Sequence, residues 1–257
     1  MGGVRVLSTA APPDFPDEWY ETLGEGHFWL EWRFAVFRNL VETLGLPLDA
    51  RWRGLDIGCG HGEVRRQIEA ATSWVTDGAD LKRSALEQNE TASGDGLLYD
   101  IHDRRPELHE HYDFILLFDV IEHLKDEHGF LESALYHLKP GGWVFINVPA
   151  LDSMSSGFDA VVGHHRRYNR RTLLATAERA GLDIRELHYW GFSMLPYLVI
   201  RKLLTSRGTS VRRTIERGVQ PPAPWMTSWV ERIQRIETRW LRRPPLGTSL
   251  IMAAVKP

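Results

Sequence analysis

The most constraining feature of the chain is a glycine-dense turn that directly follows a strand-like apolar segment. Residues 55–63 read Leu-Asp-Ile-Gly-Cys-Gly-His-Gly-Glu, with glycines at Gly58, Gly60 and Gly62. Glycine has no Cβ and tolerates a positive φ, so such a turn lets a ligand approach the backbone closely. A dinucleotide fingerprint would need its third glycine at position 63, where the chain has Glu63. The turn therefore predicts a ligand site, but not one of the usual dinucleotide type.

Further strand-like segments end next to acidic residues. Residues 74–80 end in Asp80, and residues 97–99 are followed by Asp100. Residues 114–118 form a continuous apolar run, which is typical of a central parallel strand buried on both faces. In open α/β sheets, ligands lie at the carboxyl ends of the strands. The acids therefore indicate a site at the edge of the sheet that carries the glycine turn.

Four motifs in this order resemble those of class I S-adenosylmethionine (SAM) methyltransferases. They are the glycine turn, the acid that closes the second strand, Glu-His-Leu at 122–124 and Leu-Lys-Pro-Gly-Gly at 138–142. The resemblance implies a Rossmann-like, doubly wound α/β sheet of seven strands, mostly parallel, with an antiparallel last strand. The implied organisation is an N-terminal helical cap (1–50), a SAM-binding domain (51–190) and, in the same domain, a helical insertion with the last strand (191–257).

The resemblance also implies where the cofactor SAM, whose product is S-adenosylhomocysteine, would bind. Asp56 and the turn amides would surround its methionine part, Asp80 its ribose, and Asp100 with Ile101 its adenine. For Asp80 the alternative is a cap of the helix expected at 82–89. The full set of cofactor residues expected by resemblance is Asp56, Gly58, Cys59, Gly60, Asp80, Leu81, Asp100, Ile101, Phe118 and Asp119.

The implied activity is transfer of a methyl group to a small-molecule or a lipid- or sugar-linked acceptor. Oxygen is the expected acceptor atom, and direct in-line displacement needs mainly positioning. An alcohol acceptor would also need a base. His123, at the end of the fourth strand, is the first candidate for a catalytic base, with His164 and His165 next. A structural role at a helix start is the alternative for His123.

A segment after the fifth strand, with Phe158-Asp159 and Gly163-His-His-Arg-Arg-Tyr168, resembles the "FD...GH.RRY" segment of a bacterial methyltransferase subgroup. It is expected to lie where the acceptor enters. Arg166, Arg167 and Tyr168 are therefore predicted to bind the acceptor, because planar guanidinium groups grip carboxylates and phosphates. Ion pairs with acids of a neighbouring helix are the alternative role.

Asp119, Glu122, His123 and His164 resemble the metal-binding set of small-RNA terminal methyltransferases and of some ubiquinone-pathway O-methyltransferases. Spacing i, i+3, i+4 would place the first three on one face of a helical turn, where they could bind Mg²⁺ or Zn²⁺. The first residue is Asp rather than the Glu of that pattern, and no divalent metal is expected. A metal-assisted RNA methyltransferase and a non-catalytic SAM- or nucleotide-binding protein, or a misread NAD oxidoreductase, remain as alternatives.

Charge is distributed unevenly along the chain. The net charge is −3, yet the segment from Gly191 to Pro257 contains twelve Lys/Arg and three Asp/Glu, which leaves the preceding part acidic. An acidic sheet domain argues against nucleic acid as the partner. The single Cys59 has no partner for an intrachain disulfide, and no segment reads as a membrane span or export signal. These features favour a cytoplasmic protein.

Three helical patterns flank the sheet domain. A helix beginning near His27 has apolar positions 30, 34, 37, 40 and 41; by resemblance it roofs the SAM pocket, whereas composition alone favours core packing. In the insertion, one apolar helix face comprises Met194, Leu195, Leu198, Val199, Leu203 and Leu204. A second comprises Trp225, Trp229, Ile233, Ile236 and Trp240, with Arg232, Arg235, Arg239, Arg242 and Arg243 around it. Peripheral membrane contact, a homodimer interface, a substrate wall and plain core all remain open for them.

Overall fold

A single eight-stranded sheet organises the computed structural model, which describes residues 4–9, 27–88, 93–205 and 224–257. The strands are β1 Val4–Val6, β2 Arg53–Ile57, β3 Val75–Asp80, β4 Gly96–Leu98, β5 Tyr112–Phe118, β6 Leu138–Pro149, β7 Asp183–Trp190 and β8 Ser249–Val255. Their order across the sheet is β1-β4-β3-β2-β5-β6-β8-β7. The Rossmann-like doubly wound sheet is thereby confirmed.

The last strand runs against the rest of the sheet, as expected. β8 lies between β6 and β7 and pairs antiparallel with both, while the pairs from β1 to β6 are parallel. The sheet has one strand more than predicted because β1 pairs with β4 at the edge. β1 was not predicted because it has three residues, too few to show a strand pattern, and lies in a segment expected to be helical.

Helices cover both faces of the sheet. They are α1 Phe28–Thr43, α2 Glu63–Ala71, α3 Arg83–Glu87, α4 Glu127–Tyr136, α5 Gly157–Val161, α6 Arg170–Arg179, α7 Leu195–Thr205 and α8 Pro224–Trp240. Local signals account for several ends: the Asn169 side chain caps the start of α6, and Gly181 follows its end with a φ of +73°. Short 3₁₀ turns, among them Ile121–His123 and Phe192–Met194, lie between these elements.

The central strand β5 separates two apolar layers. Its residues Ile115 and Leu117 belong to a cluster with side chains of α4 and α6, whereas Phe114 and Leu116 belong to a cluster with side chains of α1 and α2. All four side chains are fully buried. Burial on both faces explains why this strand reads as a continuous apolar run.

Some expectations fall outside the described residues. They concern most of the segment before His27, residues 206–223 of the insertion, and the side chains of Leu204 and Trp225. Within the described ranges, no helix has both the length and the apolar character needed to cross a bilayer.

Candidate functional site

A cavity of about 420 Å³ opens at the carboxyl ends of the central strands. Its floor comes from the residues that follow β2, β3 and β5, and its roof from α1 and the start of α7, including Trp29 and Leu198. Volumes of this order are usual for small-molecule sites. All ten residues predicted to bind the cofactor line this one cavity: Asp56, Gly58, Cys59, Gly60, Asp80, Leu81, Asp100, Ile101, Phe118 and Asp119.

The glycine turn adopts the conformation that its sequence predicts. Gly58, Gly60 and Gly62 have φ values of +75°, +51° and +74°. The amide of Gly58 donates to the carbonyl of Ala79 at 2.8 Å, which ties the turn to β3. A Cβ on Gly58 would lie 2.8 Å from a methyl carbon of Val120, closer than such atoms normally approach. The turn therefore requires glycine at position 58 for both backbone conformation and space.

Asp56 is a carboxyl group buried beside the glycine turn, with 3% of its surface exposed. Burial raises the pKa of Asp56 to about 7, and the nearby charges of Arg65 and Arg33 only partly oppose this rise. A ligand that carries positive charge would compensate the ionised carboxylate. The sulfonium and ammonium groups of SAM meet this requirement, so the residues present fit that cofactor.

Two further acids lie where the nucleoside end of the cofactor would be expected. Asp80 accepts hydrogen bonds from the amides of Gly60 (2.9 Å) and Lys82 (2.8 Å), so it braces the turn as well as lining the cavity. Burial raises the pKa of Asp80, while these backbone hydrogen bonds oppose the rise. Asp100 caps the 3₁₀ turn after β4, and its own amide donates to Ser8, which follows β1.

A polar network at the end of β5 was not predicted. Asp119 has a φ of +58°, and its carboxylate accepts from Arg33 Nη1 at 2.5 Å and from Asn147 Nδ2 at 2.8 Å. The Oδ1 atom of the fully buried Asn147 accepts in turn from the indole of Trp190. Arg33, on α1, lines the cavity and lies over the ring of Phe118. The signal for this network in the sequence was a charged residue, Arg33, on an otherwise apolar helix face. The sequence does not show that its partner is Asp119.

His123 and His164 form a histidine cluster that lines the same cavity as the glycine turn, with ring centres 4.8 Å apart. His164 Nδ1 lies 2.9 Å from Asp159 Oδ1, and because a carboxylate only accepts, this nitrogen carries the hydrogen. His164 Nε2 then points toward Glu122, whose Oε1 is 4.0 Å away. Burial would raise the pKa of Asp159, but the His164 hydrogen bond and the Arg167 charge lower it below its usual range. His164 is thus oriented by an ionised carboxylate.

His123 and Glu122 complete the cluster. Burial and the neighbouring His164 lower the pKa of His123 to about 3, so its ring is neutral near pH 7. Glu122 is fully buried, and neither of its carboxyl oxygens accepts a hydrogen bond from a residue that the structure describes. Burial and the charge of Asp119 raise the pKa of Glu122 well above its ordinary value. A carboxyl group with a raised pKa keeps its proton to higher pH, and in the protonated form it is a hydrogen-bond donor.

Three of the residues predicted near the acceptor lie elsewhere. The side chain of His165 is exposed and outside the cavity. Arg166 Nη1 donates to Glu127 Oε2 at 2.7 Å, and the Tyr168 hydroxyl donates to the same oxygen at 2.5 Å. Arg166 thus makes an ion pair with a neighbouring helix, which was the alternative to binding the acceptor.

Arg167 occupies an intermediate position. Its guanidinium donates to Asp159 at 2.7 Å and to the carbonyl of Ala150 at 2.9 Å, although the residue lines the cavity. The first bond lies within the segment 157–168, and the second ties that segment to the residue after β6.

The metal-binding geometry considered from the sequence is not formed as expected. Asp119 does not continue into an α-helical turn, because its φ is positive and the following Ile121–His123 is a 3₁₀ turn. Its carboxylate faces Arg33 and Asn147 instead. Glu122, His123 and His164 do converge, with candidate ligand atoms within 4.8 Å of one another. Asp119 therefore does not belong to that group.

The fold and the glycine turn together define a class I SAM-dependent methyltransferase. A family model described as a methyltransferase domain matches residues 29–187, which is more than half of the chain. The chain belongs to this methyltransferase-domain family. The match begins within α1 and ends within β7, so the family extends into the cap helix that carries Arg33.

Similar curated proteins are ubiquinone biosynthesis O-methyltransferases. That of Hydrogenovibrio crunogenus is 31% identical over 99 residues, covering 36% of this chain and 41% of the relative. That of Nitrosospira multiformis is 29% identical over 153 residues, covering 52% of this chain and 63% of the relative. The chain therefore spans only about half the length of the curated relatives it matches.

Solved structures share the fold at low sequence identity. A chain of the complex between the Haloferax volcanii Trm112 methyltransferase activator and a methyltransferase has a TM-score of 0.61 at 17% identity, covering 94% of this chain and 95% of that chain. The [4+2]-cyclase SpnF has a TM-score of 0.54 at 15% identity, covering 96% and 99%. The fold by itself therefore does not determine the reaction.

Proposed function

We propose that this protein transfers the methyl group of SAM to a hydroxyl oxygen of a small-molecule or lipid-linked acceptor. The observation that carries the proposal is a pair of polar groups that line the cavity. They are His164, oriented by Asp159, and Glu122, whose carboxyl oxygens accept no hydrogen bond from the described residues. The curated relatives, named for O-methylation in ubiquinone biosynthesis, support oxygen as the acceptor atom.

The chain would hold SAM through residues along the sheet edge. Asp56 and Arg33 would face the charged amino-acid part, the glycine turn would pack against it, and Asp80 with Asp100 would face the nucleoside. When bound, SAM supplies an electrophilic methyl group on a positively charged sulfur. Holding the acceptor oxygen in line with that group would provide most of the rate enhancement.

His164 would act as the general base. Its Nε2 would take the hydroxyl proton as the acceptor oxygen is methylated, and SAM would supply the methyl group and leave as S-adenosylhomocysteine. Ionised Asp159 stabilises the imidazolium that forms, as an orienting carboxylate does in other base dyads. Glu122, whose raised pKa favours the protonated form, would donate a hydrogen bond that orients the acceptor. His123, whose pKa is about 3, is too weak a base for this step.

The substitution His164→Gln tests the assignment. We expect kcat to fall about 10²- to 10⁴-fold, which is the usual contribution of a positioned base. The affinity for S-adenosylhomocysteine should stay within about twofold, because the base acts on the acceptor and not on the cofactor. Transfer of labelled methyl from SAM to a panel of phenols and catechols, with and without prenyl chains, measures the first quantity; calorimetry measures the second.

His165→Gln is the matched control, since the neighbouring imidazole is exposed and outside the cavity. It should retain turnover close to that of the unmodified protein. Full turnover by His164→Gln would eliminate His164 as the base. Binding of SAM without transfer to any hydroxyl acceptor would favour the non-catalytic alternative.

The RNA methyltransferase alternative has less support. In the described residues, the arginines that line the cavity are Arg33 and Arg167, and both pair with aspartates of the protein itself. The exposed arginines of the C-terminal region that the structure describes do not line the cavity.

Exhaustive chelation tests the metal-assisted mechanism. A mechanism that uses only a base predicts that turnover is unchanged by chelation.

A further inference from the structure

Helix α8 turns several polar side chains toward the protein and exposes several large apolar ones. Glu237, only 7% exposed, accepts hydrogen bonds from the backbone amides of residues 191–193 at 2.8–2.9 Å. The Thr238 hydroxyl accepts from the indole of Trp32 at 2.9 Å, and Gln234 is also buried. Polar groups therefore attach this helix to α1 and to the turn after β7.

The opposite side of α8 carries a continuous apolar stripe, which we name the Trp–Ile face. It consists of Trp229, Ile233, Ile236 and Trp240, with exposed fractions of 62%, 46%, 53% and 76%. Their spacing of i, i+4, i+7 and i+11 places all four on one side of the helix. Four large exposed apolar side chains in a row form a patch that water does not favour, which indicates an interaction surface.

A row of positive charge borders the Trp–Ile face. The exposed arginines on and just after α8 are Arg232, Arg235, Arg239, Arg242 and Arg243. Arg243 donates to Glu186 at 2.6 Å, so its charge is partly compensated within the protein. The guanidinium of Arg239 lies 5.4 Å from the ring centre of Trp240, so cation and aromatic ring are presented together. Tryptophan and arginine at one depth match the boundary between headgroups and acyl chains.

We propose that α8 docks the protein on an anionic lipid surface. The Trp–Ile face would enter the headgroup–acyl boundary, and the arginine row would contact lipid phosphates. Charge complementarity favours this occupant over a second copy of the chain. The sequence of α8 contains two carboxylates, Glu231 and Glu237, and Glu237 is buried, so two copies of α8 would oppose several arginines with a single exposed acid each. The inference concerns where the protein is located and holds whatever atom is methylated.

Vesicle co-sedimentation of the full chain tests the proposal. We expect binding to vesicles of phosphatidylcholine mixed with phosphatidylglycerol, weaker binding to phosphatidylcholine alone, and a decrease as salt is raised. The double substitution W229S/W240S should lower partitioning about tenfold or more, because two large side chains no longer enter the membrane. R232Q/R239Q should lower it by about fivefold for each arginine removed.

Matched controls are V6S, an exposed apolar site on β1, and R51Q/R171Q, two exposed arginines far from α8 in the chain. Both should bind vesicles as the unmodified protein does, and near-UV circular dichroism should show every variant folded. Equal binding by W229S/W240S and the unmodified protein would overturn the proposal. A second result would also overturn it: the unmodified protein does not bind vesicles but forms a concentration-dependent dimer, seen by analytical ultracentrifugation, that W229S/W240S abolishes.

Discussion

At the scale of single residues, the cavity is dominated by carboxyl groups that burial makes sensitive to their surroundings. Asp56, Asp80 and Glu122 all have pKa values raised by burial, whereas that of Asp159 is lowered by His164 and Arg167. The direction of each shift depends on whether a fixed cation lies within hydrogen-bond distance. Acids that lack one are suited to a ligand that brings positive charge.

The affinity for SAM should increase with pH through neutrality. The pKa of Asp56 is about 7, so the carboxyl group is mostly neutral at pH 6 and mostly ionised at pH 8. Positive charge on the ligand favours the ionised form, so binding near pH 7 should release a proton. Calorimetry at pH 6, 7 and 8, in buffers of different ionisation enthalpy, measures both the affinity and the proton release.

Asp56→Asn is the control for this prediction, because it removes the titrating group but keeps the side-chain volume. Its affinity should be lower at pH 8 and depend less on pH, and the difference between the two proteins removes the ligand's own titration. Identical pH profiles for both proteins would show that Asp56 does not face the cationic part of the ligand.

At the scale of elements, the turn after β2 combines an unusual backbone with a crowded position. Gly58→Ala should therefore destabilise the protein by more than a positive φ alone requires. A left-handed alanine costs about 1–2 kcal/mol, and the contact of its Cβ with Val120 at 2.8 Å should add about 1–3 kcal/mol. Urea denaturation measures the change in the free energy of unfolding.

Gly45→Ala isolates the backbone contribution. Gly45 follows α1 with a φ of +66°, and a Cβ there would meet no atom within 4 Å. It should show the backbone cost alone, about 1–2 kcal/mol, with unchanged SAM affinity. Equal losses of stability for the two alanine variants would mean that Val120 moves aside without cost.

In helix α8, the apolar face is not the face that packs against the protein. Its apolar spacing is that of a helix packing into a core, but its polar residues Glu237 and Thr238 face the protein. The hydrogen bonds that they make replace the apolar contacts expected of a buried face. The spacing of a helix predicts that two faces differ, and tertiary contacts decide which face is inside.

At the scale of the whole molecule, the cavity lies between the sheet edge and the cap. Residues at the start of α1, including Trp29 and Arg33, form one wall, and Asp119 ties Arg33 to the sheet. A ligand in the cavity would contact both layers. Binding should therefore stabilise the attachment of α1 in addition to the sheet.

Saturation with S-adenosylhomocysteine should slow amide hydrogen exchange at residues 28–33. Ligand at a hundredfold excess over Kd stabilises a protein by about 2.7 kcal/mol, and exchange that requires detachment of α1 should slow accordingly. Amides of α6, which is absent from the cavity lining, serve as the internal reference for local protection. Protection confined to the residues after β2 and β3, without any at α1, would contradict a role for the cap in cofactor binding.

Local patterns in the sequence determined the sheet domain and the position of its site. The run at 114–118 specified a strand buried on both faces. The glycines at 58, 60 and 62 specified the turn that follows β2 at the edge of the sheet. The acids after β3 and β4 line the same cavity as that turn. These features were predictable because a strand's burial, a turn's φ values and a parallel sheet's common edge depend on residues close in the chain.

Contacts between distant residues were decided by the tertiary structure alone. Arg33 and Asp119 are 86 positions apart, and Glu127 binds Arg166 from 39 positions away. Such contacts decide that Asp159 orients His164 and that the polar face of α8 is inside. They also decide that Val4–Val6 extends the sheet. Periodicity and propensity describe a segment's own conformation, whereas the partner of a charge or a helix face is chosen by the packing of the whole chain.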